Sequence, residues 1–205
     1  GAMNALAFGH GYALAHNTKS AKGIARDPRE AAREALAKFW GEVVQMGAAS
    51  SLQRNMMELW LGGLRMAGQS LPQSMLSPYH TNPLDINPLR DAVAAVVDFE
   101  RLRAMTTGPR LFVSATNVRS GRLREFRHHE ITLDAVMASA CLPMLFRAVA
   151  IGDEHYWDGG YLGNPSLLPL IAESPAQDLL LVQLNPSHRA SVPATAQAIV
   201  ERVNE

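Results

Sequence analysis

The residues best placed to do chemistry are Tyr156-Trp157-Asp158-Gly159-Gly160. A carboxylate followed by two glycines, after a short strand, sits on a tight turn. The glycines permit positive φ and close approach of other backbone. Such a mount suits a general base that must reach a nucleophile carried by a different loop. The same Asp-Gly pair is also common in type I′ hairpin turns, and from the tripeptide alone the turn is the leading reading.

Other reactive side chains carry less. His128 and His129 are adjacent, so on a strand they would point to opposite faces. They read as exposed strand-end residues, with no partner pattern for catalysis. His155 reads as a hairpin residue close to Asp158. Cys141 is the sole cysteine, which excludes an internal disulfide; a small buried hydrophobe is the default for it, and no metal-ligand spacing involves it. Ser139 lacks the glycine flanks of a nucleophile elbow. Asp85 and Asp91 fit capping roles at a loop and a helix start. Met56, Met57, Met66 and Met75 could line an adaptable acyl groove, and a helical core or lid explains them equally well.

The elements that must position these groups follow from pattern. Residues 1–15 read as a helix despite Gly9 and Gly11, and 16–26 as a polar connection. Asp27-Pro28 is an N-cap followed by proline at the first helical position. Leu36, Phe39, Trp40, Val43 and Val44 then recur at helical spacing, predicting a helix over 28–46 with an i,i+4 pair of Glu34 and Lys38. A second helix is expected over 52–67, and the proline-rich stretch 72–88 is a loop. Asn87-Pro88 starts a further helix. Leu111 to Val118 reads as a buried strand, with a turn at Ser120-Gly121 and a hairpin partner over 123–128. Thr132 caps a helix carrying Leu133, Val136 and Met137. A short hairpin covers 148–157, Leu179 to Leu184 reads as a central parallel strand, and 192–203 as a closing helix. Interleaved helices and strands argue one α/β domain over 1–205.

The run Ser139-Ala140-Cys141-Leu142-Pro143, then Phe146, Asp158-Gly159-Gly160 and Gly163-Asn164-Pro165, resembles the patatin-like phospholipase family. The stretch 111–118 and the loop Ser77-Pro78-Tyr79 with Asn82-Pro83-Leu84 are similar to bacterial members. The resemblance rests on the combination and order of these segments. It implies a three-layer α/β/α fold with a mainly parallel central sheet. It also implies a phospholipase A- or esterase-type acyl hydrolase with a Ser-Asp dyad, in which Asp158 is the base. Ser139 and Asn164 become candidates to line the cleft. No cofactor or metal is called for, and the substrate would be an acyl lipid or phospholipid met at a transient membrane-surface contact.

The dyad's serine is expected on a Gly-x-Ser-x-Gly elbow, which places it on a strained strand-to-helix turn. No complete copy of that motif occurs in the 205 residues, and neither does the glycine-rich oxyanion loop the family carries before it. Gly1-Ala2-Met3 reads either as the scar of a removed tag or as native sequence. Gly1-Ala2-Met3-Asn4-Ala5 matches the family's continuation after the elbow, and the register favours the native reading. Gly1 is then the elbow's last glycine, with the serine and the first strands upstream. The expectation is an inactive 205-residue chain and an active longer parent. The alternative is a non-catalytic domain that binds lipid or a partner.

Composition narrows the classes further. The chain is 47% apolar and 19% charged, with Lys plus Arg equal to Asp plus Glu. That is globular composition without a charge field to recruit nucleic acid. The basic residues between Arg119 and Arg127 read as a solvated strand edge. Neither a G-x-G-x-x-G sequence nor a P-loop occurs, which disfavours a nucleotide-binding module.

Overall fold

The computed structural model describes residues 1–17, 26–45, 77–82, 84–143, 145–162, 167–182, 188, 192–195 and 202. The expected helices over 52–67 and 192–203, the four methionines and Asn164 lie wholly or largely outside these residues.

Helix α1 (Ala2–Asn17) buries Leu6, Ala7, His10, Ala13 and Ala15. Helix α2 spans 28–45. It opens as the Asp27-Pro28 signal predicts: Asp27 Oδ1 accepts the Arg29 N–H at 2.9 Å, and Asp27 O accepts Ala31 N–H at 3.0 Å. Its buried face differs from the expected stripe. Ala31, Ala32, Ala35 and Phe39 are buried, whereas Trp40 is 46% and Val44 71% exposed. Small residues face inward because α1 approaches at backbone distance. A Cβ on Gly11 would sit 2.5 Å from both Ala31 O and Ala32 Cα. Glycine within a helix costs about 1 kcal/mol relative to alanine, and here that cost permits the close crossing. Glu34 pairs with Arg26 instead of Lys38.

A short helix α3 (Pro78–Thr81) lies in the proline-rich loop. Helices α4 (Pro88–Val96) and α5 (Phe99–Arg103) follow, capped by Asn87 and Asp98. Strand β1 (Phe112–Asn117) pairs with β2 (Leu123–Arg127), Val113 opposite Phe126 and Ala115 opposite Arg124. The turn between them is closed by Asn117 Oδ1, which accepts from Arg119 N, Ser120 N and Ser120 Oγ. His128 and His129 lie on a 3-10 turn (His128–Glu130), not on a strand, so the opposite-face expectation does not hold. Helix α6 (Leu133–Ala138) is capped by Thr132 as expected, with Oγ1 accepting Ala135 N–H at 3.2 Å. Strands β3 (Val149–Ile151) and β4 (Glu154–Asp158) form the predicted hairpin. Helix α7 (Leu168–Glu173) follows.

The sheet runs β2-β1-β4-β3. The fold is α/β, but every described strand pair is antiparallel, where the resemblance implied a mainly parallel sheet. Short turns join β1 to β2 and β3 to β4, and only antiparallel strands can be joined that tightly. Residues 179–182 do not form the expected strand; no described strand lies beside them, and Leu180 is 88% exposed. The core gathers Leu6, Phe39, Val93, Leu102, Val113, Phe126, Ile131, Val136 and Tyr156. The Phe126 and Tyr156 rings meet edge to face at 5.7 Å, which couples β2 to β4 across β1.

The helix crossing yields a paired prediction. Gly11→Ala should lower unfolding stability by about 1–3 kcal/mol, since the added methyl meets backbone. Gly41→Ala, in the same kind of helix but with open space around it, should raise stability by up to about 1 kcal/mol. Urea unfolding followed by circular dichroism distinguishes them. Equal effects of the two substitutions would show that the α1–α2 approach does not depend on Gly11.

Candidate active site

Asp158 is the last residue of β4, and its backbone is held from three directions. It pairs with Ala115 of β1. Its N–H donates to Cys141 O at 2.9 Å. Its carbonyl accepts from Thr116 Oγ1 at 2.9 Å. The side chain is fixed in turn: Oδ1 accepts the Gly160 N–H at 2.8 Å and so caps the 3-10 turn Gly159–Tyr161. Oδ2 has no hydrogen-bond partner among the described residues. One carboxylate oxygen therefore orients the group while the other is left to accept a proton.

Gly159 is needed for a reason different from the one the sequence offered. It lies outside the left-handed region, so positive φ plays no part. A Cβ there would stand 2.3 Å from Ser114 O and 2.6 Å from Ser114 C. The chain after Asp158 thus passes directly over β1, and only glycine fits. The motif is a strand end running into a 3-10 turn, not the type I′ hairpin turn favoured by the tripeptide alone.

Burial raises the Asp158 carboxyl above its usual range, against the lowering effect of the Gly160 N–H and the α-amino group of Gly1. The second opposing effect is informative, because it places the head of α1 within electrostatic reach of Asp158. The N-terminal end of α1 also carries the positive end of a helix dipole. Asn4 in its first turn accepts from Trp40 Nε1 at 2.9 Å, which ties α2 to the same corner.

The other candidates fall into place around this carboxylate. Cys141 is buried, its thiol donates to Arg147 O at 3.0 Å, and burial pushes its pKa up to about 11. Such a thiol is inert at neutral pH, and its contribution is the carbonyl that receives Asp158 N–H. Ser139 Oγ donates to Val136 O at 2.8 Å, closing the end of α6. His155 pairs with Ala150 in the β3–β4 hairpin, as expected. Asp85 caps nothing; it takes a left-handed conformation with φ of 51°, in a loop closed by Asn82, whose side chain bonds both N–H and C=O of Ile86. That loop is held to the segment after Cys141 by Arg147, whose guanidinium lies 5.2 Å from the Tyr79 ring centre.

Two site residues were missed in the sequence. Thr116 is 7% exposed and anchors the Asp158 carbonyl; the available signal was a hydroxyl within an otherwise buried strand. Tyr161 is half-exposed, and its hydroxyl is shifted upward by burial and then by Asp158 and Cys141. Tyr79, Leu142, Leu145, Tyr161 and Leu162 are exposed apolar or aromatic side chains on these same segments.

Residues 1–171 match the family model described as patatin-like phospholipase. No curated protein and no solved structure matches the chain.

The buried carboxyl makes a stability prediction whose sign can be worked out. A group whose folded pKa is raised stabilises the fold fully below its unfolded pKa, about 3.9 for aspartate, and that contribution is lost as pH rises through the folded value. Asp158→Asn removes the titration and keeps an oxygen for Gly160 N–H. Its stability relative to the natural chain should therefore rise between acid and neutral pH and level off above. Urea midpoints over pH 3–8 test this, and a variant that loses stability toward neutral pH would contradict it. Thr116→Val, which leaves the Asp158 carbonyl without its donor, should cost about 1–3 kcal/mol at every pH.

Proposed function

The chain belongs to the patatin-like phospholipase family, and from that premise we propose that it supplies the base of a Ser-Asp dyad in a lipid acyl hydrolase. The observation that carries the proposal is the Asp158 carboxylate itself, partly buried at the end of β4, with Oδ1 held by the Gly160 N–H and Oδ2 without a hydrogen-bond partner among the described residues. If Gly1 closes a Gly-x-Ser-x-Gly elbow, the serine lies two residues before it, and the proposal requires its hydroxyl to reach Oδ2 of Asp158. The elbow's strand-to-helix turn then leads into α1.

The chemistry follows from that placement. Asp158 Oδ2 takes the serine hydroxyl proton as the oxygen attacks the ester carbonyl. The tetrahedral oxyanion is stabilised by backbone N–H groups at the helix head and in the segment before the elbow. Collapse expels the alcohol, which recovers the proton from Asp158. Water then attacks the acyl-enzyme, giving its proton to Asp158 and releasing the fatty acid. An aspartate of ordinary pKa is a weak base for this work. Burial improves it, as the upward shift reflects. In a longer parent the α-amino charge at Gly1 is gone, which removes one of the effects holding that pKa down. Exposed Tyr79, Leu142, Leu145 and Tyr161 support an acyl lipid presented at a membrane surface as the substrate.

With the natural upstream segment attached, the protein should hydrolyse short-chain nitrophenyl esters and react with a fluorophosphonate probe. Asp158→Asn in that form should lose about 10²–10⁴-fold in turnover without a fall in melting temperature. The 205 residues alone should not label. Undiminished turnover in Asp158→Asn, or an upstream sequence with no serine elbow, would defeat the assignment.

A further inference from the structure

A second cavity lies away from Asp158, between α1 and α2. Its volume is about 390 Å³, and it is lined by His10, Leu14, Arg26, Ala31, Glu34, Ala35, Lys38 and Val96. Ligand pockets span roughly 300–1,000 Å³, so this is room for a small molecule. Its walls are apolar apart from the ionic groups at the mouth.

His10 is the unusual wall. It is only 6% exposed, yet it is a polar ring in the middle of a helix. Nδ1 accepts the Asp98 N–H at 3.4 Å, which puts the ring proton on Nε2. Nε2 has no hydrogen-bond partner among the described residues. The ring lines the cavity and Nε2 is open to it, so an acceptor bound there can take its proton in a hydrogen bond.

Charge at the mouth narrows what that acceptor is. Arg26 is paired with Glu34. Lys38 makes no ion pair among the described residues. The cavity therefore presents one N–H donor, one cation without an ion pair among the described residues, and walls of Leu14, Ala31, Ala35 and Val96. A single negative charge on an apolar body matches that set. A dianion such as inorganic phosphate would carry more charge than Lys38 balances, and would meet Glu34.

We propose that this cavity binds a small organic carboxylate with an apolar tail, its carboxylate between His10 Nε2 and the Lys38 ammonium. The site is independent of the Asp158 chemistry and stands or falls without it. The groups acting on His10 are Asp98, Arg101 and Lys38, with Arg26 and Glu34 completing the lining. Burial holds the empty site's imidazole below its ordinary pKa; a bound carboxylate favours the imidazolium and moves its titration upward.

The experiment is NMR of histidine ring resonances in the 205-residue chain, titrated with hexanoate, with hexanol and with inorganic phosphate. Hexanoate should give a saturable shift of the His10 signals and raise the pH midpoint of its titration. Lys38→Gln, a change at an exposed side chain that leaves the core intact, should weaken hexanoate binding about tenfold. Failure of hexanoate to move the His10 signals would overturn the proposal. An equal response to hexanol or phosphate, or unaltered affinity in Lys38→Gln, would also overturn it.

Discussion

The pairing of β4 with β1 at Ala115 and Asp158 is the contact on which the rest of the structure depends. It fixes a carboxylate at the end of a strand, where the chain must turn without leaving the sheet. Gly159 makes that turn possible by allowing backbone to lie against Ser114. The Thr116 hydroxyl and the Cys141 carbonyl then occupy the polar groups of Asp158 that the strand pairing leaves open. Every backbone hydrogen-bonding group of this residue is satisfied by protein, so the side chain is positioned by a rigid frame and not by its own flexibility.

That rigidity has an energetic consequence. A carboxylate held in partial burial is destabilised relative to water, and the single Gly160 N–H compensates it incompletely. Proteins retain such groups where the reactivity is needed, and they offset the cost in the surrounding core. Here the offset comes from both faces of the strand pair. Val113, Phe126, Val136 and Tyr156 pack beside it, and Leu6 and Phe39 bring in the first two helices. The hydrophobic core and the desolvated carboxylate are thus two sides of one arrangement.

Local signals in the sequence were read well where a single residue sets a boundary. Asp27-Pro28, Asn87-Pro88 and Thr132 each start the helix they predict, because capping depends on a few neighbouring backbone groups. The hairpins were legible for the same reason. The errors concern residues whose role depends on partners far away in sequence. Trp40 and Val44 satisfied helical spacing yet lie outside, because the face of α2 was chosen by the glycine of α1. The parallel sheet was carried over from the family resemblance, and the described strand pairs run otherwise. Asp158 was put forward as a base from its neighbours in order along the chain, whereas Gly159 was credited with φ freedom when its place against Ser114 demands close packing. Thr116 could be recognised as an anchor only after β4 was seen beside it.

Helix α1 shows why distant parts of this chain cannot be varied independently. Its head carries the α-amino group whose charge acts on Asp158, its middle places Gly11 against Ala31 and Ala32, and the residue before Gly11 is the buried His10. A change that pushes α2 outward at Gly11 must shift α2 or α1. A shift of α1 is transmitted along the helix axis to its head, since a hydrogen-bonded helix moves as a unit. A shift of α2 strains the bond from Trp40 to Asn4. Either way the displacement arrives at the head of α1. The small residues between the two helices therefore fix where the head of α1 lies, although none of them is part of it.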